Sequence, residues 1–171
     1  MKNNLRLIYI SVLTAISLSF FLLESLLPLP FLAPGAKLGL ANIVTVFALF
    51  FLPKLKDVFI LVLLRTALAA FFGGGLTIFF YSIAGGLLSL AAMALLKFSG
   101  KFSLIGVSMG GGFFHNFGQL IVAYFLVGSA GIWLYFPLLG SVGIFTGFII
   151  GLITKYTLKK IRPAINKMQT K

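Results

Sequence analysis

The sequence predicts an all-α integral membrane protein, a bundle of six transmembrane helices with both termini in the cytoplasm. Of its 171 residues, 60% are hydrophobic and only 9% are charged, a composition far outside that of soluble domains. The apolar residues fall into six segments, and most basic residues lie between alternate segments. We therefore expect a single transmembrane domain over residues 1–171 and no soluble catalytic domain.

The six apolar segments are the predicted membrane spans, because a crossing helix needs about 20 apolar residues. Proline and glycine, which favour turns, separate the segments from one another. We place the spans at residues 7–27, 37–52, 58–72, 76–96, 104–127 and 132–154.

The second and third spans are short, so a re-entrant hairpin with its tip at residues 53–57 is the alternative to two crossings. That tip carries Lys54, Lys56 and Asp57, and each ionised group at membrane depth costs about 3 kcal/mol. Two short crossing spans are therefore preferred.

Lysine and arginine indicate the orientation, because cytoplasmic loops are enriched in them. If the N-terminus lies in the cytoplasm, twelve of the fourteen lysine and arginine residues lie on the cytoplasmic side. The two exceptions are Lys37 and Arg65. This predicts a multi-pass protein of the cell (plasma) membrane with both termini cytoplasmic. The formal charge of +12 does not indicate nucleic acid, because the basic residues form no stripe with interleaved aromatic residues.

Eight polar or ionisable side chains lie from the middle of the membrane outward and are the candidate substrate-binding residues. They are Glu24, Lys37, Asn42, Arg65, Tyr81, His115, Asn116 and Gln119. Intramembrane ionisable groups are costly and mark functional sites, and the cytoplasmic half of the spans is almost purely apolar. We expect a water-accessible pocket that opens outward and suits a small ligand with a polar or anionic part.

Purely structural explanations of these residues remain open. Arg65 can pair with Glu24 or cap the carbonyl groups of a neighbouring helix. His115, Asn116 and Gln119 can share one helix flank and form interhelical hydrogen bonds there. Metal binding by His115 is not expected, because the chain has no second histidine and no cysteine.

Missing motifs exclude several classes of enzyme. No Gly-x-x-x-x-Gly-Lys-Ser/Thr sequence is present to bind ATP phosphates, so any energy from ATP must come from a partner. The two acidic residues, Glu24 and Asp57, are predicted on opposite sides of the membrane and cannot together hold magnesium and a diphosphate. We expect no catalytic activity and no cofactor.

Small residues at four-residue spacing form stripes that allow close approach of helices. Gly143, Gly147 and Gly151 form one on the sixth span, which we expect to pack within the bundle. The first span carries Ser11, Ala15 and Ser19 at the same spacing, and this stripe can equally contact a partner helix.

Two segments, residues 34–43 (PGAKLGLANI) and residues 111–119 (GGFFHNFGQ), carry a family resemblance. In both, the sequence resembles the Gx transporter family, which is also labelled heptaprenyl diphosphate synthase component I. The resemblance extends over most of residues 5–160. The label implies a subunit of a prenyl chain-elongating enzyme, whose catalysis would require an aspartate-rich partner.

The layout also resembles the substrate-binding S components of energy-coupling factor (ECF) transporters, which are small six-helix bundles with an outward-facing site. This resemblance implies that Ser11, Ala15 and Ser19 dock a transmembrane coupling protein, and that residues 28–34 help to cover the ligand. It further implies two ATPase subunits as partners, and the lipid bilayer surrounds the bundle itself.

The leading hypothesis is a substrate-capture subunit of a transporter, binding a small vitamin-like, flavin-like or isoprenoid/quinone-precursor molecule from outside. Arg65 and Lys37 would attract its anionic group, and Tyr81 would offer a stacking face. The alternative is a non-catalytic membrane subunit serving polyprenyl diphosphate or quinone synthesis, or a membrane redox system. A purely structural membrane-assembly partner is the third hypothesis.

Overall fold

The structure is a computed structural model that describes residues 3–26, 39–73 and 75–169. These residues form six α-helices and one 3-10 helix, and no strand, so the predicted all-α fold class is confirmed. The helices are α1 (Asn3–Ser25), α2 (Asn42–Phe51), α3 (Leu55–Gly73), α4 (Leu76–Phe98), α5 (Leu104–Val127) and α6 (Phe136–Gln169), with the 3-10 helix at Ala130–Tyr135.

Three helical stretches within the described part of the chain are long and apolar enough to cross a membrane. They are Asn4–Ser25, Leu76–Phe98 and Ala130–Ile161. By contrast, α2 has ten residues and is about 15 Å long, half the thickness of a bilayer's hydrocarbon core. The three long apolar helices indicate that the protein associates with a membrane.

Two differences between the helix boundaries and the predicted spans are informative. The second span was predicted from residue 37, but α2 begins at Asn42, after Gly39 with a φ of +82°. That left-handed conformation favours glycine and interrupts a right-handed helix. The sixth span was predicted to end at Thr154, whereas α6 continues to Gln169, because lysine and arginine favour helix as well as apolar residues do.

The short helix α2 lies at the centre of the bundle. It contacts each of the other five α-helices, while α1 and α6 do not contact each other in the described residues. Most of its side chains are buried, among them Val44, Val46, Ala48 and Leu49. A central helix has both of its ends inside protein, so its unpaired backbone groups need partners from other helices.

The predicted glycine stripe of α6 packs directly against the backbone of α5. A Cβ atom added to Gly143 would lie 2.5 Å from the carbonyl oxygen of Gly112, and one added to Gly147 would lie 2.5 Å from that of Ser108. No side chain separates the two helices at these points. This is the close helix approach that small-residue stripes permit.

An ion pair joins the beginning of α1 to the first turn of α3. Arg6 Nε donates to both carboxylate oxygens of Asp57 at 2.8 Å, and Arg6 Nη2 also donates to Oδ1. Asp57 is fully buried, whereas Arg6 is partly exposed. The pair therefore holds the α2–α3 connection beside the end of the bundle at which α1 begins.

Replacing Arg6 with glutamine is expected to destabilise the protein. The change leaves the buried Asp57 carboxylate without its counter-ion, and an unpaired buried charge costs more than the intact pair. Thermal melting of purified protein measures the effect. The double variant Arg6→Gln/Asp57→Asn should recover much of the loss, and equal melting of the single variant and wild type would contradict the expectation.

Candidate functional site

A carboxylate from α1 binds the backbone that leads into α2. Glu24 is 2% exposed, and its two oxygens accept hydrogen bonds from the backbone N–H groups of Gly39 at 2.7 Å and Leu40 at 2.9 Å. These two residues precede α2, and the helix dipole favours negative charge near the start of a helix. Glu24 thus holds the entry to the central helix against α1.

The carboxyl end of α2 is capped by a cation. Lys97 Nζ, in the last turn of α4, donates to the carbonyl oxygen of Leu49 at 2.6 Å and lies 5.1 Å from the ring centroid of Phe50. Negative charge at the start of a helix and positive charge at its end both oppose the helix dipole. Lys97 therefore stabilises the carboxyl end of the short helix inside the bundle.

His115 of α5 lies between the amino end of α2 and the middle of α4. A Cβ atom added to Gly39 would lie 2.8 Å from His115 Cδ2, and one added to Gly85 would lie 2.9 Å from His115 Nδ1. The Nε2 atoms of His115 and Gln119 are 3.1 Å apart, which is hydrogen-bonding distance. His115 Nδ1 is buried against the backbone of Gly85.

Arg65 of α3 is buried beside the next glycine of α4. It is 3% exposed, and a Cβ atom on Gly86 would lie 3.2 Å from Arg65 Nη2. Within the described residues its guanidinium donates no hydrogen bond and forms no ion pair, and its Nε is fully enclosed. Glu24 and His115 are close enough to interact with it electrostatically. A buried cation without a paired anion is costly and is a functional-site hypothesis by default.

Five predicted site residues thus gather around the amino end of α2. The fifth is Asn42, the first residue of α2, whose Nδ2 donates to Ser89 Oγ at 2.9 Å. The other four are Glu24, Arg65, His115 and Gln119. We refer to these five residues as the polar cluster.

Two further predicted site residues, Asn116 and Tyr81, lie outside this cluster. Asn116 turns toward α6, where its Nδ2 donates to the carbonyl oxygen of Leu139 at 2.8 Å, although a flank shared with His115 was expected. Tyr81 belongs to an apolar cluster that includes Leu120 and Leu139. Lys37 and the covering loop at 28–34 lie outside the described residues.

The five side chains of the polar cluster are buried. Each is at most 4% exposed, and Glu24, Asn42 and Gln119 each reach a partner directly. Two apolar cavities of about 460 and 360 Å³ lie elsewhere, one between α3 and α4 and one among α1, α2 and α6. The predicted covering loop lies outside the described residues, so an outward-opening pocket at the cluster stays a prediction.

Sequence reasoning missed the small residues that surround the cluster. Gly39 and Gly85 leave room for the ring of His115, and Gly86 leaves room for the guanidinium of Arg65. Ser89 accepts the hydrogen bond from Asn42. The signal was available: adjacent glycines inside an apolar helix are unfavourable for helix formation and usually have a packing or functional reason.

The predicted docking stripe on α1 is accessible. Ser11, Ala15 and Ser19 are all exposed on one side of the helix, and Ser19 Oγ donates to the carbonyl oxygen of Ala15 at 3.0 Å. A serine whose hydroxyl bonds its own helix can face lipid or another helix without an unsatisfied polar group.

Comparison with known proteins identifies a family over most of the chain. The family model described as heptaprenyl diphosphate synthase component I matches residues 13–157. No curated protein and no solved structure matches the chain.

Proposed function

The chain belongs to the heptaprenyl diphosphate synthase component I family, and from that premise we propose that it is a non-catalytic, membrane-embedded substrate-binding subunit of a transporter. Its ligand would be a small vitamin-, flavin- or isoprenoid/quinone-precursor-like molecule with an anionic or strongly polar group. A transmembrane coupling protein and ATPase subunits would supply the energy, as in energy-coupling factor transporters.

The observation that carries the proposal is the buried, unpaired guanidinium of Arg65. A structural arginine inside a membrane protein is expected to pair with an acid or with backbone carbonyl groups, and Arg65 does neither within the described residues. Its nearest acid, Glu24, already accepts hydrogen bonds from the backbone of Gly39 and Leu40. An anionic group on a ligand would supply the missing partner.

The proposed topology is six crossings with both termini in the cytoplasm. Arg6, Asp57 and Lys97 gather at the end of the bundle where α1 begins, which would be the cytoplasmic end. The polar cluster lies toward the opposite end, where α1 finishes and α2 starts. The Arg6–Asp57 pair also favours two crossings over a re-entrant hairpin, because it holds the α2–α3 connection at the level of the α1 terminus.

Capture would require the bundle to open at the polar cluster, because its side chains are buried. Among the described residues, the contacts on this side include the hydrogen bonds that Gly39 and Leu40 donate to Glu24 and the pair formed by His115 and Gln119. Separation of the α1 and α2 ends would expose Arg65 to a ligand from outside. Closure over the bound anion would then bury the new ion pair.

Native mass spectrometry of the detergent-purified protein tests the proposal. We expect a fraction of the protein to carry one small molecule, and we expect mild acid or organic extraction to release it for identification. Growth of the producing cells in rich medium maximises the supply of candidate ligands. A protein that folds and carries no small molecule, and that gains none from a panel of anionic vitamins, flavins and isoprenoid precursors, would refute the proposal.

Replacing Ala15 with leucine is expected to weaken docking of the coupling protein. The side chain is exposed in the middle of the α1 stripe, and a larger residue holds apart two helices that meet through small residues. Co-purification of coupling and ATPase subunits from cells that produce all components measures the effect. Ala67→Leu is the matched control, because Ala67 is also exposed but lies on α3. Equal partner recovery from both variants would contradict docking at the stripe.

The second candidate function is a non-catalytic membrane subunit of polyprenyl diphosphate synthesis. The family description favours it, and an apolar cavity among α1, α2 and α6 could accept an isoprenoid chain. Co-purification of a prenyl synthase in place of ATPase subunits would favour this function over transport.

A further inference from the structure

The larger of the two cavities is a groove on the outside of the bundle, between α3 and α4. Its volume is about 460 Å³. It is lined by Leu55, Lys56, Phe59, Leu87, Leu90, Ala91 and Ala94. The alanines make it deep, because they are the small residues on the α4 side, and Ala91 is exposed.

The groove is apolar along its length, and the exposed residue Lys56 lines one end of it. Lys56 lies in the first turn of α3 and is exposed. A short turn joins α3 to α4, so the two helices run in opposite directions. Lys56, near the start of α3, therefore lies at the same height as Ala94, near the end of α4. Leu87 lies closer to the middle of the bundle. From Leu87 to Ala94 the wall of α4 runs for about 10 Å. This order of charge and apolar surface matches an amphiphile with an anionic head and a hydrocarbon chain.

The positive charge at this end of the groove is not neutralised by the neighbouring acid. Asp57 follows Lys56 directly but is fully buried and paired with Arg6. Lys54, in the connection before α3, is also exposed and adds a second cation nearby. The start of α3 further favours an anion through the helix dipole.

We propose that this groove binds one anionic phospholipid of the bilayer, with its phosphate at Lys56 and one acyl chain between α3 and α4. A phospholipid is favoured over a partner helix because a single charged residue at the rim and a short apolar channel suit one headgroup and one chain. The second cavity, of about 360 Å³, has no charged lining residue and therefore serves as an internal comparison without headgroup preference. The proposal depends on membrane association and does not depend on the transport function.

Native mass spectrometry of protein released from vesicles with equal amounts of phosphatidylglycerol and phosphatidylcholine tests the proposal. We expect wild-type protein to retain one phosphatidylglycerol in preference to phosphatidylcholine. Lys56→Gln should lower that preference about fivefold, the effect of one basic residue at an anionic membrane surface. Ala91→Trp should fill the groove and remove the retained lipid.

Two matched controls separate the groove from general effects. Lys159→Gln removes the same charge from an exposed position on α6, and Ala67→Trp adds the same ring at an exposed position on α3. Neither should change lipid retention. Equal retention of the two lipids by wild-type protein, or an unchanged preference in Lys56→Gln, would overturn the proposal. A doubled protein mass that Ala91→Trp returns to the monomer would overturn it as well, because the occupant would then be a second copy. Lys56→Gln changes only an exposed side chain and should fold. It therefore still tests the proposal if Ala91→Trp fails to fold.

Discussion

Gly112→Ala is expected to prevent α5 and α6 from packing and to leave little folded protein. The added Cβ would overlap the carbonyl oxygen of Gly143, and a Cβ on Gly143 would in turn lie 2.5 Å from the carbonyl oxygen of Gly112. Both obstacles are backbone atoms, which cannot rotate away as a side chain can. We expect a loss of about 3 kcal/mol or more, at the upper end of overpacking effects. Thermal melting and the yield of monodisperse protein measure it.

Gly106→Ala is the matched control for this prediction. Gly106 lies in the same helix, but the nearest atom to its added Cβ is 3.6 Å away, on Phe102. Alanine favours helix over glycine by about 1 kcal/mol, so this variant should melt at or above the wild-type temperature. Similar melting of Gly112→Ala and Gly106→Ala would show that α5 and α6 do not touch through their backbones.

Arg65→Met is expected to abolish ligand binding while leaving the protein folded. Loss of the buried partner of an anionic group should weaken binding about a hundredfold. The same change removes a buried charge that has no partner, and so should keep or raise thermal stability. Ligand occupancy by native mass spectrometry and thermal melting, measured on the same preparation, test both parts.

Arg6→Gln is the control for Arg65→Met, because it should lower stability and leave ligand binding unchanged. It also removes an arginine, but one that pairs with Asp57 far from the polar cluster, so stability should fall while ligand occupancy in the folded fraction stays unchanged. If Arg65→Met retains its ligand at wild-type occupancy, Arg65 does not contact the ligand. If Arg65→Met unfolds the protein, as Arg6→Gln is expected to destabilise it, then Arg65 has a structural role instead.

Hydropathy and the positions of proline and glycine predicted the helices well, because both depend on local sequence. Proline and glycine mark the connections around residue 53 and residues 73–75, and α3, α4 and α5 begin or end within three residues of their predicted limits. The position of α2 could not be predicted in this way. Its contacts with all five other helices come from residues far apart in the chain, which no local pattern records.

The polar cluster was predicted only in part, for a related reason. Helical spacing places His115 and Gln119 on one side of α5, as the structure shows. Asn116 is the next residue after His115, and a helix rotates by about 100° per residue, so its side chain reaches α6 instead. Spacing tells which residues share a face, but it does not tell which neighbouring helix meets that face. The hydrogen bonds from Gly39 and Leu40 to Glu24 were missed because they join α1 to a separate segment that precedes α2.

The short central helix also has a consequence for how the protein is made. Ten residues are too few to enter a bilayer as an independent segment during synthesis, and the isolated helix would present unpaired backbone groups to lipid at both ends. Glu24 is already synthesised when α2 emerges, but Lys97 follows it by a further two helices. In the proposed six-crossing topology, stable insertion of α2 therefore has to wait until α4 is complete, so the first four helices would enter the membrane as one cooperative unit.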